Sequence, residues 1–183
     1  MNFLVYHSGY VSDQAEGPYD PNRNEVIDSL IKSVLENDVA EQGNVYAELG
    51  STWRILMRDP DSAAHSLGKL FKYLGSEQVL WGTDSIWYGS PQDQIQAFQT
   101  FQISEALRSE HDYTLITPQM RAQVFGLNAA PLYGISDLEI TGLFNQDRVA
   151  HDRLAYQPVA NPHFKTYGPK NRREFMNLLK LGG

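Results

Sequence analysis

Gln78-Val79-Leu80-Trp81-Gly82-Thr83-Asp84 is a short apolar run that stops on a glycine and then on a carboxylate. A β-prone run of this length, closed by a polar turn, reads as a buried strand with a polar group at its carboxyl end. Two upstream stretches have the same form. Asn44-Val45-Tyr46-Ala47-Glu48-Leu49 ends at Gly50-Ser51, and Phe3-Leu4-Val5-Tyr6 ends at His7-Ser8-Gly9.

Helical periods fall between and after these runs. Val26, Ile27, Leu30, Ile31, Val34 and Leu35 share one face between the first two strands. Asp59-Pro60 supplies an N-cap and a first helical residue for a stretch carrying Ala63, Ala64, Leu67, Leu70, Phe71 and Leu74, and Gly75 stops it. Ser90-Pro91 opens a third helix in the same way, with Asp93 in its first turn and Ile95, Phe98, Ala106 and Leu107 along it. Thr117-Pro118 starts a fourth, and Pro131 suits the first turn of a short last one. The order is β-α-β-α-β-α, with strand starts roughly 35 to 40 residues apart. That alternation predicts an α/β fold with a parallel sheet and right-handed crossovers. Function in such folds gathers at the carboxyl ends of the strands.

After Ile135 the character changes. Residues 136–168 are polar, carry Pro158 and Pro162 and show no clear period; Pro169 then precedes a helical stretch from Asn171 to Lys180 with Phe175, Leu178 and Leu179 on one side. We expect an appendage that wraps the core. There is no obvious internal repeat and no low-complexity tract.

Composition narrows the function classes. Fifteen Lys+Arg against 22 Asp+Glu give a formal charge of −7, which argues against a nucleic-acid partner. Zero cysteines exclude a disulfide scaffold, a thiol nucleophile and a Cys-ligated zinc. No apolar stretch approaches the ~18 residues of a spanning helix, and the start of the chain reads as no signal peptide. The expectation is a soluble, cytoplasmic protein without a membrane partner.

Three strand-end residues can carry chemistry. His7 can ligate a metal or polarise a water, or be satisfied by a backbone carbonyl. Asp84 can bind a divalent cation and accept a proton from its water, or cap an Asx-turn. Glu48 shares a strand face with Tyr46, and the expectation is a structural carboxylate paired with Arg54 or another buried donor. Trp53, Trp87 and Tyr88 follow strands and could wall a substrate pocket, or pack the core. His65 reads as solvent-facing or packed on its helix, while His111, His151 and His163 have no ligand at metal-site spacing. Lys72-Tyr73 and the basic stretch Lys170 to Arg173 read as solvated helix faces. No His-x-His, His-Glu-x-x-His, Gly-x-Ser-x-Gly or phosphate-binding glycine loop is present, so zincin, serine-hydrolase, P-loop and Rossmann readings lose support.

Taken together, these stretches resemble the last part of the amidohydrolase superfamily barrel, in its amidohydrolase-related (aminocarboxymuconate-semialdehyde decarboxylase-like) branch. Phe3 to Gly9 resembles the strand with a terminal His-x-Gly, Asn44 to Leu49 the next, and Gln78 to Asp84 the eighth. Gly126-Leu127-Asn128-Ala129-Ala130-Pro131-Leu132-Tyr133-Gly134 resembles the closing helix. The resemblance covers about Asn2 to Ile135.

The resemblance implies C-terminal β/α units, about strands six to eight, of a TIM-type (β/α)8 barrel, followed by a C-terminal helical tail. Residues 1–135 would be partial metal-dependent hydrolase barrel, and 136–183 an extension with a terminal helix. It assigns Asp84 as metal ligand and proton shuttle and His7 as a histidine that contacts the metal or polarises substrate and water. The implied cofactor is a divalent metal ion, zinc foremost, with its remaining ligands missing from this chain. The implied reaction is attack of a metal-activated water on a C–N or C–O bond of a small molecule. Trp53, Trp87 and Tyr88 hint at a cyclic or aromatic substrate. The alternatives are a decarboxylase of the same branch and a non-catalytic half-barrel acting with a partner chain. Such a barrel has eight strands and about 250 residues. Three strands and no His-x-His therefore suggest the carboxyl-terminal portion of a longer enzyme, inactive alone and needing its N-terminal half-barrel or a homo-oligomer.

Overall fold

Three strands form one parallel sheet in the order β1-β2-β3, with β1 at Phe3–Val5, β2 at Val45–Glu48 and β3 at Val79–Leu80. The computed structural model describes residues 1–39, 43–159 and 172–181, without the side chains at 143–146, 174, 178, 179 and 181. Pro162, His163, Pro169, Lys170, Asn171 and the side chains of Leu178 and Leu179 thus lie outside the described residues. Phe3, Leu4 and Val5 stand opposite Val45, Tyr46 and Ala47, while Ala47 and Glu48 stand opposite Val79 and Leu80. The strands are shorter than the apolar runs that announce them. β1 stops before Tyr6 because His7 and Ser8 take left-handed φ of 58° and 52°, which turns the chain.

Helices fill the crossovers as the periods require. Helix α1 (Val26–Glu36) links β1 to β2, and α2 (Gly50–Leu56) and α3 (Pro60–Tyr73) link β2 to β3. Asp59 accepts from the Ser62 amide at the start of α3, and Gly75 follows its end at φ 98°. The expected third helix is two: α4 (Ser85–Tyr88) comes first, then α5 (Gln92–Thr100) and α6 (Glu105–His111) divide the stretch. The break falls at Phe101, which is extended and buried, and Ser104 caps the new start by accepting from Leu107. Helix α7 (Pro118–Ala122) is capped by Thr117, and a π-helical turn leads to α8 (Ala129–Leu132). The Asn128 side chain donates to the carbonyls of Ser76 and Val79 at 2.7 and 2.8 Å, tying the closing helix to β3.

The polar stretch after Ile135 holds two helices that its pattern did not announce, α9 (Asp137–Gln146) and α10 (Arg148–Tyr156). Caps start them rather than an apolar period. Ser136 and Glu139 bond reciprocally, and Asp147 accepts from Val149. Helix α11 (Arg172–Leu181) buries Phe175 in the core cluster that includes Trp53, Met57, Ala97 and Phe101, and Met176 packs against that cluster. No helix among the described residues is long and apolar enough to cross a membrane.

A buried ion cluster holds the long segment after β1. Lys69 Nζ on α3 lies 2.6 Å from Glu16 Oε2 and 2.5 Å from Asp28 Oδ1 on α1, and all three side chains are wholly buried. Glu16 also accepts from the Ile27 amide at 3.1 Å, giving α1 the N-terminal acceptor that Glu25 does not supply. Burying three charges is costly, and the cluster holds only while every member is present. Lys69→Met, which leaves two buried carboxylates facing each other, is expected to lose about 3–5 kcal/mol in urea unfolding.

His65 is buried on α3, with its Nδ1 3.1 Å from the Tyr113 hydroxyl and its ring 5.0 Å from that of His111. Burial first, then the positive charges of His111 and Lys69, hold it below the usual histidine range against the opposing pull of Asp61 and Glu110. A histidine so held binds fewer protons folded than unfolded, so stability rises with pH between the two values. The contribution is whole above about pH 6.5 and is lost as pH falls through the depressed folded value. Thermal midpoints are expected to drop on acidification from about pH 7 to 5, with a shallower drop in His65→Gln.

Candidate functional site

The carboxyl ends of β1, β2 and β3 bring together His7, Glu48, Ser51 and Asp84. Each end turns through a residue at positive φ: His7 at 58°, Gly50 at 33° and Asp84 at 48°. For histidine and aspartate this region is uncommon, so neighbours must hold it.

His7 Nε2 donates to Asp84 Oδ2 at 2.9 Å. The Ser51 amide and hydroxyl, at the start of α2, donate to the same oxygen at 3.0 and 2.5 Å. All three bonds reach Oδ2 and orient the carboxylate. The Ser51 hydroxyl bond foremost, then the positive charge of His7, holds Asp84 below the usual carboxylate range. The Tyr88 hydroxyl lies 3.0 Å from Ser51 Oγ, and the Arg54 guanidinium stacks 4.3 Å from the Tyr88 ring centre.

Glu48 is nearly buried, and burial raises its pKa above the usual range. Its partners differ from the expected one. Arg54 reaches Asp93 at 3.9 Å instead, while Glu48 accepts from the backbone amides of Gly50 at 2.8 Å and His7 at 3.3 Å. The Ser8 hydroxyl donates to the Glu48 carbonyl and the Thr52 hydroxyl to the His7 carbonyl, at 2.9 and 2.8 Å. A Cβ on Gly82 would stand 1.4 Å from Glu48 Oε1, so the third strand end passes directly over this carboxylate.

The aromatic candidates divide. Tyr88 joins the site through Ser51. Trp87 is 79% exposed on α4, beside Ile86 at 85%. Trp53 lies in the core, its indole donating to the Gln94 carbonyl at 2.9 Å and its ring meeting Phe98 and Phe101 edge to face. His65 on α3 packs against the ring of His111, and His151 is exposed on α10. Sequence reading missed Ser51. The signal was its place in the post-strand turn after Glu48, where a hydroxyl can meet a carboxylate from the adjacent strand.

The amidohydrolase family model matches residues 37–135. This chain belongs to the amidohydrolase family. The match takes in β2, β3, Ser51 and Asp84, and begins after His7. No curated protein and no solved structure matches the chain. Amidohydrolases are a hydrolase-type enzyme family whose members typically bind divalent metals. His7 and Asp84 suit such an ion, offering an imidazole nitrogen and a carboxylate at one point. No group of three or more candidate ligands occurs among the described residues. Both Glu48 oxygens already serve amides, so this pair is two donors of the four a tetrahedral zinc needs.

Loss of the hydroxyl that depresses Asp84 has a direct readout. Ser51→Ala is expected to raise the Asp84 titration midpoint toward the ordinary aspartate value, measured by carbon-13 carboxyl NMR.

Proposed function

We propose that this chain supplies the last β/α units of a (β/α)8-barrel, metal-dependent hydrolase that cleaves a C–N or C–O bond of a small molecule. The observation that carries the reading is the His7–Asp84 pair at the carboxyl ends of parallel strands in an amidohydrolase-family chain. His7 and Asp84 would hold a divalent ion, zinc foremost, together with donors from an N-terminal half-barrel or from a second copy. Such an ion makes water acidic enough to attack at neutral pH and polarises the bond under attack.

The residues of this chain do the rest. Asp84, kept ionised by Ser51 and His7, accepts the proton of the attacking water and returns it to the departing nitrogen or oxygen. His7 braces that carboxylate and stands where it can polarise the substrate. Tyr88 closes over Ser51 with Arg54 behind its ring, and exposed Trp87 offers an apolar face to a cyclic or aromatic substrate. Residues 1–135 form the barrel portion, and 136–183 an extension docked through α11.

Elemental analysis combined with sedimentation tests the reading. Zinc is expected in the assembled form and lost from the His7→Ala and Asp84→Asn variants. Zinc retained by the double variant would place the ion elsewhere and overturn the proposal. In an active assembly, Asp84→Asn is expected to cut hydrolytic kcat by about 10²–10⁴. Release of carbon dioxide instead of hydrolysis would favour the decarboxylase.

A further inference from the structure

We propose that Glu48 is a positioning residue for the His7–Asp84 pair, setting the geometry at which three strand ends meet. This rests on the reading of His7 and Asp84 as the reactive pair. The hydrogen bonds of the Glu48 carboxylate go to backbone amides, not to the side chains of the pair. It acts on the backbone that carries them.

One Glu48 oxygen takes the Gly50 amide at 2.8 Å and the other takes the His7 amide at 3.3 Å. Both residues sit at positive φ, where the strand has ended and its ladder no longer supplies an acceptor. The His7 amide is thereby fixed to β2, and with it the direction in which the imidazole leaves β1. At Gly50 the left-handed turn presents the Ser51 amide and hydroxyl to Asp84. On the third side, Gly82 is two residues before Asp84, and its missing side chain is the space that Glu48 Oε1 occupies. One carboxylate therefore sets the end of β1 that carries His7, the turn that carries Ser51 and the approach of the segment that carries Asp84. A buried carboxylate serving only as filler would be poorly chosen, because an apolar side chain of that size would avoid its desolvation.

Two substitutions disturb this arrangement from opposite sides. Glu48→Gln keeps the volume but turns an N–H toward one of the two amides. Gly82→Ala keeps every polar group and displaces the carboxylate sterically. The readout is modification of His7 by diethyl pyrocarbonate at one fixed neutral pH, resolved by residue with mass spectrometry and scaled to exposed His151. In the unaltered chain His7 Nε2 is engaged by Asp84, and slow labelling for a half-exposed histidine is expected. Both variants are expected to speed His7 labelling by about tenfold, the factor lost with a charge-assisted hydrogen bond, matching Asp84→Asn. Ile31→Val, a core change on α1, is expected to lower the melting midpoint without moving that ratio.

An unchanged His7 rate in cooperatively folded Glu48→Gln or Gly82→Ala would overturn the proposal. Loss of cooperative melting in both would also overturn it, by assigning Glu48 to folding alone. The assay requires neither zinc nor turnover, so its failure is distinct from failure of the hydrolase reading.

Discussion

A carboxylate buried at the ends of parallel strands must find donors, and in this chain Glu48 finds two backbone amides rather than a cation. Around that requirement the strand ends are arranged. The amides belong to residues in left-handed turns, and the carboxylate itself fits only because position 82 has no side chain. His7, Ser51 and Asp84 leave the sheet from these turns, so the geometry of the pair depends on a group that bonds to the neighbouring backbone.

A second buried polar group performs a comparable task farther from the site. Lys69 gathers Glu16 and Asp28, fastening the long segment after β1 to two crossover helices. Both devices spend polar groups in the interior, where each is costly unless fully partnered. Apolar packing of α1 and α3 on the sheet would hold these helices in place without specifying how the connecting segments turn. Charged groups with directional partners specify that.

Much of the architecture could be read from spacing. The β-α-β-α-β order, the caps at Asp59 and Thr117 and the stop at Gly75 follow from local chemistry acting over a few residues. The helix break near Phe101 was illegible because apolar period continues across it, and a buried Phe101 with a capping Ser104 decides the matter. Helices α9 and α10 were hidden for the opposite reason. Reciprocal Ser136–Glu139 bonds and the Asp147 cap start them where no apolar stripe exists.

For the site, the sequence by itself determined the residue types at the strand ends: a histidine, a glutamate followed by Gly-Ser, and a glycine two before an aspartate. Residue type and strand position are local properties. Which of them touch was decided only by tertiary structure, because the strand ends meet across separations of 41 residues from His7 to Glu48 and 33 from Ser51 to Asp84. Pairing in parallel register put His7 against Asp84, brought Ser51 to the same oxygen and gave Glu48 amides in place of Arg54. The same packing drew Trp53 into the core, since its place in α2 faces Phe98 and Phe101 rather than the strand ends.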